Sequence, residues 1–276
     1  SSQSSFSAKS KGLTLRMGYD INEYLYHNIN YSIKNEKSDK SKDASMFLKA
    51  QPNKTRVSSI GHSISYDKLN SRISPTKGYL IKFTQNFAGV GGNVKYLQNQ
   101  LYASYFKPLY KDSIILNLIG RAGNIRGIGN NKVNINDSFF VGEEYIRGFD
   151  VSGIGPRVKA SKETEKDSDQ DSLGGNTFFA GTAEIQFPLG LPEEFGMKGA
   201  VFTDFGTLFD TDADKYKCKV EDCTCSKPLC EGEELKSKYI NSSKKIRASY
   251  GVGLVWDSPL GFIRLDYGTP YRKESF

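Results

Sequence analysis

The chain has 276 residues, enough for one large domain or two small ones, and is 37% hydrophobic with no run of about 18 apolar residues, which excludes a transmembrane helix. Its net charge of +7 comes from lysines gathered in polar stretches such as 34–49 and 236–245. No basic helix or RNA-binding signature accompanies them, so no nucleic-acid partner is expected.

Aromatic residues (Tyr 16, Phe 17) and 27 glycines favour strands and turns over helices. The dominant pattern is a period of two, in segments of roughly ten residues. Strands are expected over 11–20, 24–35 and 57–69. In the third, Ile60, Ile64 and Tyr66 oppose Ser59, Ser63 and Ser65. Next come 78–88, where Tyr79, Ile81, Phe83 and Phe87 oppose Lys82, Thr84 and Asn86, then 93–107 and 112–126. In 112–126, Ile114, Leu116 and Leu118 oppose Asn117 and Arg121. Four more segments follow at 177–188, 197–209, 246–257 and 260–269. Within them Phe179, Ala183, Ile185 and Phe187 oppose Thr182, Glu184 and Gln186. Tyr250, Val252, Leu254 and Trp256 oppose Gly251, Gly253 and Asp257; Ile263, Leu265 and Tyr267 alternate with Arg264 and Asp266.

Tight turns are expected at 75–78, 88–92, 108–112, 189–194 and 258–261. Long loops are expected at 36–56, 127–176 and 210–245, mostly on one end of the up-and-down path. No helix of consequence is expected, and the low-complexity stretch 159–171 is expected to be mobile. The polar faces carry charges and glycines on strand after strand, whereas the apolar faces carry aromatics near strand ends. A wet interior and a lipid-facing exterior produce that division. The fold class is therefore all-β: a transmembrane antiparallel up-and-down β-barrel. Ten strands in an open sheet leave two unpaired edges, untenable in lipid. We therefore expect the chain, which starts SSQSSF and ends in a polar stretch, to be an internal piece of a longer protein with more strands on both sides.

The stretch 139–157, FFVGEEYIRGFDVSGIGPR, is unusual for an outer loop. It holds four glycines, the apolar Phe149 and Arg147 in a tight Ile-Arg-Gly-Phe context. Gly148 and Gly153 permit turns other residues resist, so the loop can fold back into the lumen. A guanidinium confined there needs carboxylates. Glu184 and Asp204, on the polar faces of the next two strands, are the candidates, against an equal chance that both are ordinary solvated pore residues. Cys218, Cys223, Cys225 and Cys230 are spaced C-x4-C-x-C-x4-C, which is not a zinc spacing; two local disulfides are expected, with three pairings open. No G-x-S-x-G, H-E-x-x-H or P-loop is present, and His27 and His62 have no evident partner. No catalytic residue, metal or cofactor is expected, and the chain is read as not an enzyme.

An ordered set of motifs closely resembles the BamA family of the bacterial surface antigen superfamily. It comprises Tyr66-Asp67, Pro75-Thr76-Lys77-Gly78, Gly91-Gly92, Tyr96, Arg147-Gly148-Phe149, Gly153-Ile154-Gly155-Pro156, Leu173-Gly174-Gly175-Asn176, Glu184, residues 202–206 and residues 251–267. The resemblance implies a sixteen-stranded barrel after periplasmic POTRA domains, of which this chain holds about ten strands. It implies that 127–176 is the sixth outer loop, tucked into the lumen. Arg147 would be anchored to Glu184 and Asp204, with Gly148, Phe149, Gly153, Gly155 and Pro156 shaping the loop. The implied function is folding and inserting client barrels in the bacterial outer membrane, with unfolded outer-membrane proteins, accessory assembly lipoproteins and lipid as partners. The implied lateral gate lies between the first and last strands, which this piece lacks. Val141 stands where the family has the first of two paired glycines, and the cysteines, in the outer loop 210–245, are no hallmark of the family. A TamA-like or secretion-partner barrel, an organellar import barrel, a passive porin and a structural surface antigen are the competing expectations.

Overall fold

The computed structural model describes residues 6–40, 44–110, 113–158, 171–192, 195–216, 240–258 and 261–272. Their strands are β1 (Phe6–Asp20), β2 (Leu25–Lys40), β3 (Lys54–Asp67), β4 (Gly78–Gly92), β5 (Tyr96–Tyr110), β6 (Ile114–Gly127), β7 (Arg157–Val158), β8 (Thr177–Pro188), β9 (Met197–Phe209), β10 (Ile240–Asn241), β11 (Arg247–Ser258) and β12 (Gly261–Arg272). Ten of them make one sheet in the order β1-β2-β3-β4-β5-β6-β8-β9-β11-β12, every pair antiparallel. The short β7 and β10 pair separately. The all-β up-and-down meander is therefore the observed architecture.

Three boundaries depart from the expectation. The hairpin β1–β2 pairs from Asp20↔Tyr26 out to Phe6↔Lys40, well into the lysine-rich stretch expected to be loop. Backbone pairing beyond the bilayer does not require apolar side chains, so charge there hid strand. Residues 88–92 are not a turn but the bulged end of β4. Positive φ at Gly89, Gly91 and Gly92 lets the ladder jump from Ser59↔Ala88 to Val57↔Gly92. Strand β5 likewise runs through Pro108, at a register irregularity that accommodates a residue with no N–H to donate. Short helical pieces also occur: one α-turn, α1 (Met46–Lys49), and 3-10 turns at Ile135–Asp137 and Ala213–Lys215.

The two sheet faces differ as the alternation requires. One face exposes Leu15, Met17, Ile60, Ile64, Phe83, Leu101, Phe205, Val252, Leu265 and Tyr267, an apolar wall far larger than a water-facing monomer presents. Aromatic clusters mark both ends of this outer face. At the tight-turn end Tyr24, Tyr66 and Tyr79 follow one another at 6.2 and 5.8 Å, and the Lys68 ammonium sits 4.8 Å from the Tyr24 ring centroid. At the loop end Tyr250 and Tyr271 lie 5.8 Å apart. One polar row crosses this wall: His62, Gln85, Asn99, Asn124 and Thr177 lie directly opposite one another on β3, β4, β5, β6 and β8. Gln85 Nε2 donates to Asn99 Oδ1 at 2.7 Å, and Asn124 Nδ2 to Thr177 Oγ1 at 2.8 Å.

At the loop end the connections fuse into a dome. Phe47 and Leu48 of α1 pack with Ile135, Val158, Leu173 and Ile240 in a buried cluster. Polar ties join segments distant in sequence: Asn136 Nδ2 to Ser38 Oγ at 2.7 Å, Val133 N to Asp212 Oδ2 at 3.0 Å, and Tyr216 OH to Asn134 Oδ1 at 2.6 Å. A second cluster, including Val57, Ile125, Val141, Ile146, Ile154, Phe178 and Leu208, pins the loop after β6 to the inner sheet face.

Candidate functional site: a loop anchored by a guanidinium

The loop after β6 enters through a bridge between Phe139 and Gly175 and a second between Val141 and Ile154. Val141, where a glycine was the family pattern, is fully buried and belongs to the core. One helical turn follows, with Ile146 N–H donating to Gly142 O at 2.9 Å. That turn drives Ile146 into the core and leaves Arg147 facing the inner wall. Ile146, with no exposed surface, is the buried apolar anchor that the sequence reading missed; Phe149 is only half-buried against the same cluster.

Gly148 takes a left-handed φ of 87° and lies on the backbone of Gly268 in β12. A Cβ at Gly148 would sit 2.6 Å from the Gly268 carbonyl oxygen, so any side chain there would lift the loop off the strand. Gly153 N–H closes a turn onto Asp150 O at 2.8 Å, Gly155 packs against Leu208, and Pro156 O accepts the Leu173 N–H at 2.9 Å.

The structure brings Arg147, Glu184 and Asp204 together. Arg147 Nε and Nη2 grip Asp204 Oδ2 and Oδ1 at 2.8 and 2.9 Å, and the Arg147 backbone N–H donates to Oδ2 at 3.0 Å. Nη1 donates to Glu184 Oε2 and to Asp266 Oδ2, both at 3.1 Å. The guanidinium carbon lies 3.3 Å from the Phe202 ring centroid, so the planar cation stacks as well as bonds. The Glu184 and Asp204 side chains are each 1% exposed.

Four members of this site were not singled out from sequence. Arg264 of β12 clasps Glu184 through Nη1 at 3.0 Å and Nη2 at 2.5 Å, and reaches Asp266 through Nε at 2.8 Å. Gln186 Nε2 donates to Glu184 Oε1 at 2.9 Å. Phe202 supplies the ring and Asp266 the third carboxylate. The available signal was alternation, which already placed Arg264 and Asp266 on the polar face of their strand. Two guanidiniums and three carboxylates leave one net negative charge, and most carboxylate lone pairs are already engaged. Among the described residues no group of three or more His, Cys, Asp or Glu is placed to hold a metal ion. Cys218, Cys223, Cys225 and Cys230 lie in 217–239, outside the described residues, as does most of the 159–171 stretch.

The Omp85 superfamily domain matches residues 1–276. The outer membrane protein assembly factor BamA of Neorickettsia risticii is 35% identical over 251 residues, 91% of this chain. The sorting and assembly machinery component 50 homolog of Mus musculus is 31% identical over 78% of it. The chain spans only 30% and 41% of these two relatives. The crystal structure of Haemophilus ducreyi BamA lacking POTRA domains 1–3 superposes with a TM-score of 0.77 at 19% identity, over 98% of this chain and 52% of that one. Ten meandering strands, a lipid-type outer wall and an inner loop bolted by one arginine thus agree with sequence and fold likeness: the chain belongs to the Omp85 superfamily and forms part of an outer-membrane β-barrel of the BamA kind.

Proposed function

We propose that this chain is the barrel wall of an assembly factor that folds and inserts other barrel proteins into the bacterial outer membrane, without enzymatic chemistry. Its proposed partners are unfolded outer-membrane proteins, accessory assembly lipoproteins and the surrounding lipid. The observation that carries the reading is the Arg147 clamp. A pore built for passive diffusion is obstructed by an inner loop held in place by a largely buried ion-pair network, whereas a barrel that must deform and re-close needs its lumen filled in a defined state. The names of the bacterial and mouse relatives, both assembly factors, support the same reading. Domains 127–176 and 210–245 then act as an inward-folded loop and an outer loop of that barrel.

The test is complementation with the full-length protein. Arg147→Ala should lower the amount of correctly folded client barrels several-fold at equal expression. Unchanged client assembly would remove the basis for the reading. A porin would instead give a large, steady conductance, and a structural antigen would leave clients untouched when depleted.

A further inference from the structure

The lumen holds a second charged site that is built in the opposite sense to the Arg147 clamp. Lys82 on β4, Tyr102 on β5 and Arg121 on β6 lie directly opposite one another across three neighbouring strands, all on the inner face. Sheet spacing sets the two cationic strands about 10 Å apart. The three residues line a half-open cavity of about 660 Å³, roofed by Glu144 and Tyr145 of the inner loop and floored by Leu80, Thr84, Gln100 and Phe178. Arg121 is pre-positioned there. Its guanidinium lies 5.3 Å from the Tyr145 ring centroid and 5.8 Å from that of Tyr102, and Nη1 donates to the Glu144 backbone carbonyl at 3.2 Å. The Glu144 carboxylate itself makes no ion pair with it. Neither Lys82, which is exposed, nor the half-buried Arg121 has a carboxylate partner among the described residues, so both charges are open to an anionic ligand. The clamp a few strands away carries three acids for its two cations.

We propose that this cavity binds an acidic polypeptide segment in extended form. Its carboxylates would meet Lys82 and Arg121 while its apolar or aromatic side chains lie against Tyr102, Tyr145, Phe178 and Leu80. The size of the cavity and its apolar walls favour a peptide over a single small anion, which would fill only one corner and leave the second cation unpaired. The site goes beyond the assembly reading: it depends on the lumenal charges and would exist in any barrel with this wall.

The experiment uses the full-length protein in lipid nanodiscs. The probes are a fluorescent heptapeptide alternating Glu and Tyr, its Gln/Tyr and Lys/Tyr counterparts, and inorganic phosphate as competitor. The Glu/Tyr peptide should bind at least tenfold more tightly than the Gln/Tyr peptide and weaken with salt. Lys82→Gln with Arg121→Gln should abolish that preference. Lys82→Glu with Arg121→Glu should transfer preference to the Lys/Tyr peptide, a gain that a misfolded barrel cannot deliver. Equal binding of the Glu and Gln peptides, an unaffected double variant, or displacement by phosphate as effective as by unlabelled acidic peptide would each overturn the proposal.

Discussion

At the scale of single residues, burial decides what each carboxylate of the clamp contributes. Asp204 is 1% exposed and takes both prongs of the Arg147 fork, whereas Asp266 is 18% exposed. Asp204→Asn should therefore cost about 3–5 kcal/mol, because it leaves a guanidinium partly unpaired in a confined space. Asp266→Asn should cost about 1 kcal/mol or less. Urea unfolding of the full-length protein in lipid vesicles measures both. In the dome, burial pushes the Asp137 carboxyl above the usual carboxylate range, against the Asn134 amide bond and the Lys34 ammonium at 3.8 Å that favour its charge. A carboxyl whose folded value is raised contributes stability below its unfolded value and loses it as pH rises through the folded one. Amide exchange around 133–138 should accelerate across that window, and Asp137→Asn should flatten the dependence. Alternation placed Glu184 and Asp204 on the inner faces of their strands but left their pairing with Arg147 at an even chance, and the family resemblance implied the rest. The partnership with Arg264 was not legible in the sequence, because it depends on what lies between.

Two strands intervene, β9 and β11, and β11 is the glycine-rich one. Its inward positions Gly251 and Gly253 carry no side chains, and a Cβ at either would collide, with the Phe202 ring at 2.5 Å and with Asp266 Oδ1 respectively. Strand β11 is thus a shallow trench, over which Arg264 of β12 reaches past β9 to Glu184 of β8. Sequence reading finds such glycines but not the register that aligns four strands. The same limit explains 88–92, where a glycine run signals a turn or a bulge equally well. It also explains Phe47 and Leu48, isolated apolar residues in a lysine-rich stretch whose burial depends on other loops arriving. On the outer wall, the polar row has a testable energy. The Gln85–Asn99 bond lies between apolar rows that include Ile64, Phe83 and Leu101 on one side and Ile60, Phe87 and Leu97 on the other. Replacing either residue alone by Leu should destabilise the barrel, and replacing both should recover most of the loss. A double-mutant cycle in vesicles should give a coupling of about 0.6 kcal/mol.

For the whole molecule, the dome and the inner loop together close the loop end of the wall. Planar-bilayer recordings of the full-length protein should show small, irregular openings, and Arg147→Ala should convert them to larger, longer ones. The clamp has a mechanical corollary. Strands β8, β9 and β12 are cross-braced through Glu184, Asp204, Arg264 and Asp266, with Arg147 as the common bolt. The inner surfaces of β2 to β5 present mostly amides and hydroxyls, such as Asn28, Asn30, Ser63, Thr84 and Gln98, joined by contacts like Asn86 Nδ2 to Gln98 Oε1 at 3.2 Å. One flank of the wall is braced by ion pairs that span several strands, the other mostly by neutral contacts between adjacent strands. When an unbraced neighbouring strand is pulled, flexure should therefore concentrate on the amide-lined side, with the braced strands moving as a unit.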